Sequence, residues 1–296
     1  MILVTAATAP VGRSVVEQLV AQGVAVRALT RHPEQAGLPQ QAEVVQGDLG
    51  DAGSLKGALQ GVDAVFLLAA SPDIDAAEFA AQAREAGVRR IVFQSSGAIE
   101  DAIEDPIEDA IDGREAVQQP NPVAAFHHGI EQALRGCGVE FTFLRLAVES
   151  SGSLEWSFDV AGQLAEGDVV RGPYADALET PIHPADFAAV VIAALTDDGA
   201  HANSVHAVTG PHQLSLREQV RLIGEAANRS VSYEELGPQE ARAAISPYAP
   251  ADLLLSTWES HVANPAPVTD TLRRLTGSQG RTPQEWAAHT AQRLTT

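Results

Sequence analysis

Residues 5–13 read TAATAPVGR, and Ala6, Ala9 and Gly12 carry the three-residue spacing of a dinucleotide-binding turn between a strand and a helix. In such a turn the first glycine closes the bend, the second lets backbone approach a pyrophosphate, and the third packs helix against strand. Only the third is glycine here. The sequence predicts that Gly12 keeps the packing role, and that Ala6 is strained by roughly 1–2 kcal/mol if its φ must be positive. It also predicts that the Ala9 methyl intrudes where a phosphate would lie, so dinucleotide binding is weakened. Pro10 fits a helix start but offers no N–H. Further on, His127 and Glu131 stand four residues apart, on one face of a helix. A carboxylate there would orient the imidazole and raise its pKa, giving a general acid or base near neutrality. The alternative is that the two residues only tie the helix to its surroundings. His128 points about 100° away. Neither His-Glu-x-x-His nor paired Cys/His spacing occurs, so no metal site is expected.

The elements that must position these groups alternate through the first 145 residues. Strand patterns fall at Ile2–Thr5, Val24–Leu29, Glu43–Gln46, Asp63–Leu68, Arg90–Gln94 and Glu140–Leu144. Helical patterns fall at Gly12–Gln22, Asp51–Gln60, Ile74–Ala86 and Pro122–Arg135. Strands alternating with helices make parallel βαβ units, and right-handed crossovers make a doubly wound α/β (Rossmann) sheet. The predicted dinucleotide domain is 1–145. Residues 146–296 read as a smaller, mostly helical substrate lobe over the C-terminal edge of the sheet, with 184–210 packing back on the first domain. Ile99–Asp112, IEDAIEDPIEDAID, repeats a tetrapeptide and holds seven acids. It reads as a solvated excursion or as an acidic flap beside the site, since ligands bind at strand C-termini.

Composition limits the function. Nineteen basic residues against 39 acidic ones give a formal charge of -20, which opposes nucleic acid and anionic membrane surfaces. Lys56 is the sole lysine. No apolar run reaches the roughly 18 residues of a membrane span. The N-terminus lacks a secretory pattern, and the single Cys137 fits a reducing compartment, so a cytoplasmic location is expected.

TAATAPVGRSVVEQLVAQG resembles the opening of the NmrA-like atypical short-chain dehydrogenases/reductases. The resemblance continues through VRALTRHPE, VVQGDLGD, DAVFLLA, RIVFQSSGA, FHHGIEQALRGCGVEFTFLR, PIHPADFAAVVIAAL and RTPQEWAAH. It implies that Thr5, Ala7, Thr8, Ala9, Pro10, Val11, Gly12 and Arg13 hold a pyrophosphate. Asp48 and Leu49 would lie near the adenine, with Asp48 alternatively capping the next helix. Leu68, Ala69 and Ala70 would lie beside the ribose. Thr30, Arg31 and His32 end the second strand without an acid to bind a ribose 2′-hydroxyl. Arg31, with Arg13, suits a 2′-phosphate, so NADP(H) is favoured over NAD(H).

The resemblance also places Ser95 and Ser96 where the family's active-site serine lies, and His127 on the histidine of its helix motif. The usual Tyr-x-x-x-Lys pair is excluded, because Lys56 and Tyr174, Tyr233 and Tyr248 lack that spacing. Leu146 replaces the proline of the family's L-R-P. Beyond it, Glu149, Ser150, Ser151, Trp156, Phe158 and Tyr174 are expected around the nicotinamide or substrate, while His183 and Asp186 are expected to pack. The implied function is an NADPH-dependent reductase of a small carbonyl or conjugated compound, with His127 or Ser96 supplying the proton. Two alternatives remain at this stage: a non-redox enzyme using His127 and Glu131 for dehydration, cyclisation or C–C cleavage, and a non-catalytic NADP sensor. A small-molecule substrate is the expected partner, and a homodimer is left open.

Overall fold

The computed structural model describes residues 1–69, 71–99 and 121–294. Ala70 and the acidic repeat from residue 100 lie outside them. The elements run β1 (Ile2–Val4), α1 (Pro10–Ala21), β2 (Val26–Thr30), β3 (Glu43–Gln46), α2 (Ala52–Leu59), β4 (Ala64–Leu67), α3 (Ala76–Glu85), β5 (Arg90–Ser96), α4 (Pro122–Arg135) and β6 (Glu140–Leu146). Then come α5 (Ser153–Ser157), α6 (Val160–Glu166), β7 (Val169–Gly172), β8 (Leu178–Glu179), α7 (Pro184–Thr196), β9 (Ser204–Val208), β10 (Leu214–Ser215), α8 (Leu216–Ala226), β11 (Ser232–Glu235), α9 (Pro238–Ala244), α10 (Ala251–Ala263), α11 (Thr271–Thr276) and α12 (Pro283–Leu294).

The sheet order is β3-β2-β1-β4-β5-β6-β9, and the five pairings among the first six strands are parallel. All six strands expected in the first 145 residues are present. Their apolar runs follow from burial on both faces: Val65, Phe66, Leu67, Ile91, Val92 and Phe93 are inaccessible to solvent. Side chains of α2, α3 and α4 join one core cluster with the strands. Helix α7 packs on α1 and on β4 and β5, burying Phe187, Val190, Val191 and Ala194.

The chain forms two compact units, 1–146 with 184–207, and 147–183 with 208–296. The second has its own core around Leu154, Phe158, Val220, Leu254, Trp258 and Trp286. It is less purely helical than the sequence suggests. Short strands pair as β11 with β7, parallel, and β10 with β8, antiparallel. Two-residue strands such as β8 and β10 carry no periodicity to read. No helix among the described residues is long and apolar enough to cross a membrane.

The helix starts differ in a way that matters. Asp51 caps α2 through the Gly53 N–H, Asp75 caps α3 through Glu78, and Asn121 caps α4 through Val123 and Ala124. Helix α1 has no side-chain cap and no acid in its first turn. Its start is set by backbone packing instead: a methyl added to Gly12 would collide with the Ala6 carbonyl oxygen. Ala6 itself holds φ +44°, in the left-handed region that glycine adopts freely. Ala9 lies at φ -68°, ψ 155°, ordinary extended backbone. Gly12→Ala is therefore expected to destabilise the protein by about 1–3 kcal/mol, as overpacking against rigid backbone does. Ala6→Gly is expected to stabilise it by about 1 kcal/mol through relief of left-handed strain. Urea denaturation of the two variants checks both signs.

Candidate active site

The strand order reverses between β1 and β4, and the crevice beyond strand C-termini at such a point is where α/β sheets bind ligands. The buried Thr5 hydroxyl closes the sheet there, accepting the Leu68 N–H at 2.8 Å and donating to the Leu68 carbonyl at 3.1 Å. The chain then turns through Ala6–Ala9. Ala7 is fully buried and donates to the Leu29 carbonyl, whereas Thr8 and Pro10 are exposed. The backbone N–H groups of Val11 and Gly12 meet no acceptor among the described residues. An uncapped helix start with free N–H groups and no acid nearby is an anion site, so the turn fits a pyrophosphate.

Around it, Arg13 donates to the carbonyls of Ala36 (2.8 Å) and Gly37 (2.7 Å), tying α1 to the loop after β2. Arg31 is exposed, and its guanidinium has no partner among the described residues. Arg13 is thus engaged, whereas Arg31 is not. Asp48 does not cap α2, which Asp51 does; it accepts the Gly50 N–H at 2.9 Å. Leu49 points into the core, and Ala69 packs against the same cluster.

At the ends of β5 and β6, Ser95 lies opposite Arg145 in register. Both reach Glu131 of α4, which is only 1% exposed. Arg145 grips the carboxylate with two N–H groups, Nε to Oε1 at 3.0 Å and an η nitrogen to Oε2 at 2.9 Å. Ser95 Oγ donates to Oε1 at 2.7 Å, and Arg135 stands 3.5 Å from Oε2. The expected His127–Glu131 dyad is not formed, because both carboxylate oxygens already have donors.

His127 stacks on Phe93, with ring centroids 5.7 Å apart, and Phe126 meets its ring edge-on. Its Nδ1 is buried without a hydrogen-bond partner. Burial lowers its pKa to about 4, and the nearby Glu131 charge only partly offsets this. The expected upward shift is thus reversed: desolvation outweighs a carboxylate whose charge is largely neutralised by Arg145. Ser96 follows Ser95 and faces the other side of the sheet by pleat alternation. Its Oγ accepts the Ala98 N–H at 3.2 Å, leaving its proton without an acceptor among the described residues.

In the second unit the expected pocket residues have the following surroundings. Ser150 is buried, with its hydroxyl 2.9 Å from Thr180 and within reach of the Gly210 N–H. Phe158 packs on Trp258 in the core. Trp156 is 49% exposed. Tyr174, at φ +40°, lines a cavity of about 350 Å³ with Pro173, Glu235, Leu236, Gly237 and Pro238. Asp186 is buried at the start of α7, and His183 rests against His289. Among the described residues no three metal-ligating side chains cluster.

Arg145 is the residue that sequence reasoning passed over. The signal was present: an arginine inside the apolar strand FTFLRL must find a buried carboxylate. Glu131→Gln should cost about 3–5 kcal/mol, because it strands the Arg145 charge, whereas Glu131→Gln with Arg145→Met should cost less. Chemical denaturation of the single and double variants decides this. The His127 shift has its own consequence. Between pH 6.5 and 4 the unfolded chain takes a proton that folded His127 refuses, so stability falls with acid by up to about 3 kcal/mol from this group. That increment should be missing in His127→Phe, and NMR titration should find the imidazole neutral down to about pH 4.

A family model described as NAD(P)H-binding matches residues 6–198. Over 298 residues the chain is 39% identical to the (4-alkanoyl-5-oxo-2,5-dihydrofuran-3-yl)methyl phosphate reductase of Streptomyces griseus, covering 99% of this chain and 98% of that one. The solved NADPH-dependent quinone oxidoreductase of Escherichia coli superposes with a TM-score of 0.71 at 26% identity, over 98% of this chain and 99% of that chain. A variant of NmrA has the same fold, with a TM-score of 0.71 at 18% identity over 98% and 95% of the two chains. With its open turn at Ala6–Gly12, its doubly wound sheet and these relatives, the chain belongs to the NAD(P)H-binding family, and it is an NAD(P)H-dependent oxidoreductase.

Proposed function

We propose that this oxidoreductase uses NADPH to reduce the electron-poor carbon–carbon double bond of a small conjugated carbonyl compound. The observation that carries this reading is the 39% identity, along nearly the whole chain, to a reductase whose named substrate is an acyl-substituted dihydrofuranone. In that substrate the ring double bond is conjugated to two carbonyls, which makes its β-carbon an acceptor for hydride. Bound NADPH supplies the hydride. The rest of the chemistry falls to this chain.

The Val11 and Gly12 N–H groups hold the pyrophosphate, and Arg31 holds the 2′-phosphate. The turn is already in its strained conformation at Ala6, so that strain is a cost of folding rather than of binding. Only the Ala9 methyl remains as an obstacle to the phosphate.

Ser96 is the hydroxyl with a proton to offer. Donated to the substrate's carbonyl oxygen, it draws electron density from the double bond and stabilises the enolate that hydride addition creates. A proton from solvent at the α-carbon completes the reduction. Ser95 is excluded from this role because it serves Glu131. His127, uncharged at neutral pH, brings no standing positive charge. The non-redox alternative needed a His127–Glu131 acid–base pair, and Glu131 is held by Arg145 and Ser95 instead.

Steady-state assays with an alkanoyl dihydrofuranone test the proposal. NADPH should be preferred over NADH, and Arg31→Ala should remove most of that preference by raising KM for NADPH at least tenfold. Ser96→Ala should lower kcat about 10²-fold, in the range of one lost oxyanion donor, with KM for NADPH unchanged. Equal use of both nucleotides by the unmodified enzyme would overturn the assignment of Arg31.

A further inference from the structure

We infer that Gln94 binds the nicotinamide end of the cofactor, its side-chain amide oxygen accepting an N–H of the nicotinamide carboxamide. This rests on the proposed reading, in which NADPH lies across the strand C-termini of the first unit.

Gln94 breaks the pattern of its strand. β5 reads RIVFQSS, and Ile91, Val92 and Phe93 are inaccessible to solvent. An amide that follows such a run needs a hydrogen-bond partner or water. Gln94 Oε1 has neither: it is buried, with no partner among the described residues. A buried carbonyl oxygen without a donor costs stability, so folding alone gives no reason for an amide there. By pleat alternation Gln94 shares a face of the sheet with Ser96, roughly 7 Å further along the strand. The opposite face is occupied, since Phe93 joins the core with α3 and α4 and Ser95 reaches Glu131.

The strand order sets which part of the cofactor arrives at this face. β2, with Arg31 just past its end, lies on one side of β1, and β4 and β5 lie on the other. With the 2′-phosphate at Arg31 and the pyrophosphate at Val11 and Gly12, the nicotinamide end runs toward β4 and β5. Gln94 stands at that exit, one residue past the Leu67–Phe93 pair and opposite Leu144 of β6. A primary carboxamide brings two N–H donors, which is what Oε1 lacks. The terminal torsion of glutamine is broad, so the amide can turn its oxygen toward an entering donor at little cost. The carboxamide stands beside the ring carbon that gives up hydride. Gln94 on the carboxamide and Ser96 on the substrate carbonyl would then fix both reactants from one face of one strand.

The test compares NADP⁺ with its 3-acetylpyridine analogue, in which a methyl group replaces the amide nitrogen. Calorimetry on the unmodified protein should give NADP⁺ a Kd lower by roughly five- to tenfold, the worth of one buried hydrogen bond. In Gln94→Met the two nucleotides should bind alike. The nicotinamide-free 2′-phospho-ADP-ribose should bind both proteins equally. The urea midpoint of the free variant should equal or exceed that of the unmodified protein, because the orphaned oxygen is gone, whereas a structural role for the amide predicts a fall. A preference for NADP⁺ that survives in the variant overturns the inference. So does equal binding of the two nucleotides by the unmodified protein, a result that needs no folded variant. A lower kcat/KM for the conjugated carbonyl compound in Gln94→Met, with the NADP⁺ preference intact, sets the amide against the substrate; the inference then falls and the proposed reduction stands. Binding of neither NADP⁺ nor 2′-phospho-ADP-ribose by the unmodified protein refutes the cofactor reading together with the inference.

Discussion

A carboxylate sealed from water is affordable only with full hydrogen bonding, and Glu131 is the place where this protein meets that condition. Its partners come from three elements: Arg145 at the end of β6, Ser95 at the end of β5, and Arg135 one turn on in α4. Removing the Glu131 carboxylate leaves the Arg145 charge buried and unpaired, which is far more costly than never having had the pair. The set therefore acts as a geometric standard for the upper ends of β5 and β6. Arg135 extends it outward, lying over the rings of Phe141 and Phe143 at 5.0 and 4.9 Å. Ser96 and the first residues of the loop beyond it inherit their positions from this clamp.

The clamp also separates His127 from the role its spacing implied. Four-residue spacing on a helix does put two side chains on one face, but it does not decide which neighbour each one meets. Glu131 turns toward the strand ends and finds cations. His127 turns onto Phe93 and finds a ring. Where desolvation and a partly neutralised carboxylate compete, desolvation wins.

Much of the architecture was legible before any coordinates. The six parallel strands announced themselves as apolar runs, since a strand covered on both faces has no reason to alternate. The turn was legible from the spacing of three positions, and the strain at Ala6 from chirality alone; its φ of +44° agrees. Ala9, the N-cap of α1, sits in extended backbone, because that position does not demand a positive φ. What stayed hidden was long-range pairing. Nothing near Ser150 in the chain points to Thr180 or Gly210, and nothing near Asp48 distinguishes it from the better-placed cap at Asp51. The two-residue strands β8 and β10 are products of tertiary contact and leave no local mark.

The return of the chain as α7 and β9 bears on how the protein can be made. The first unit is not contiguous: it needs residues 184–207 as well as 1–146. Until the ribosome has released α7, the face of α1 that α7 covers is bare, and so are the flanks of β4 and β5. A nascent chain that has emerged only as far as Leu146 has six strands and one open hydrophobic surface. The intervening 37 residues must then be synthesised before that surface can close, a delay of several seconds at rates of about 5–20 residues per second. Nascent-chain aggregation and chaperone demand should therefore concentrate in this interval of synthesis.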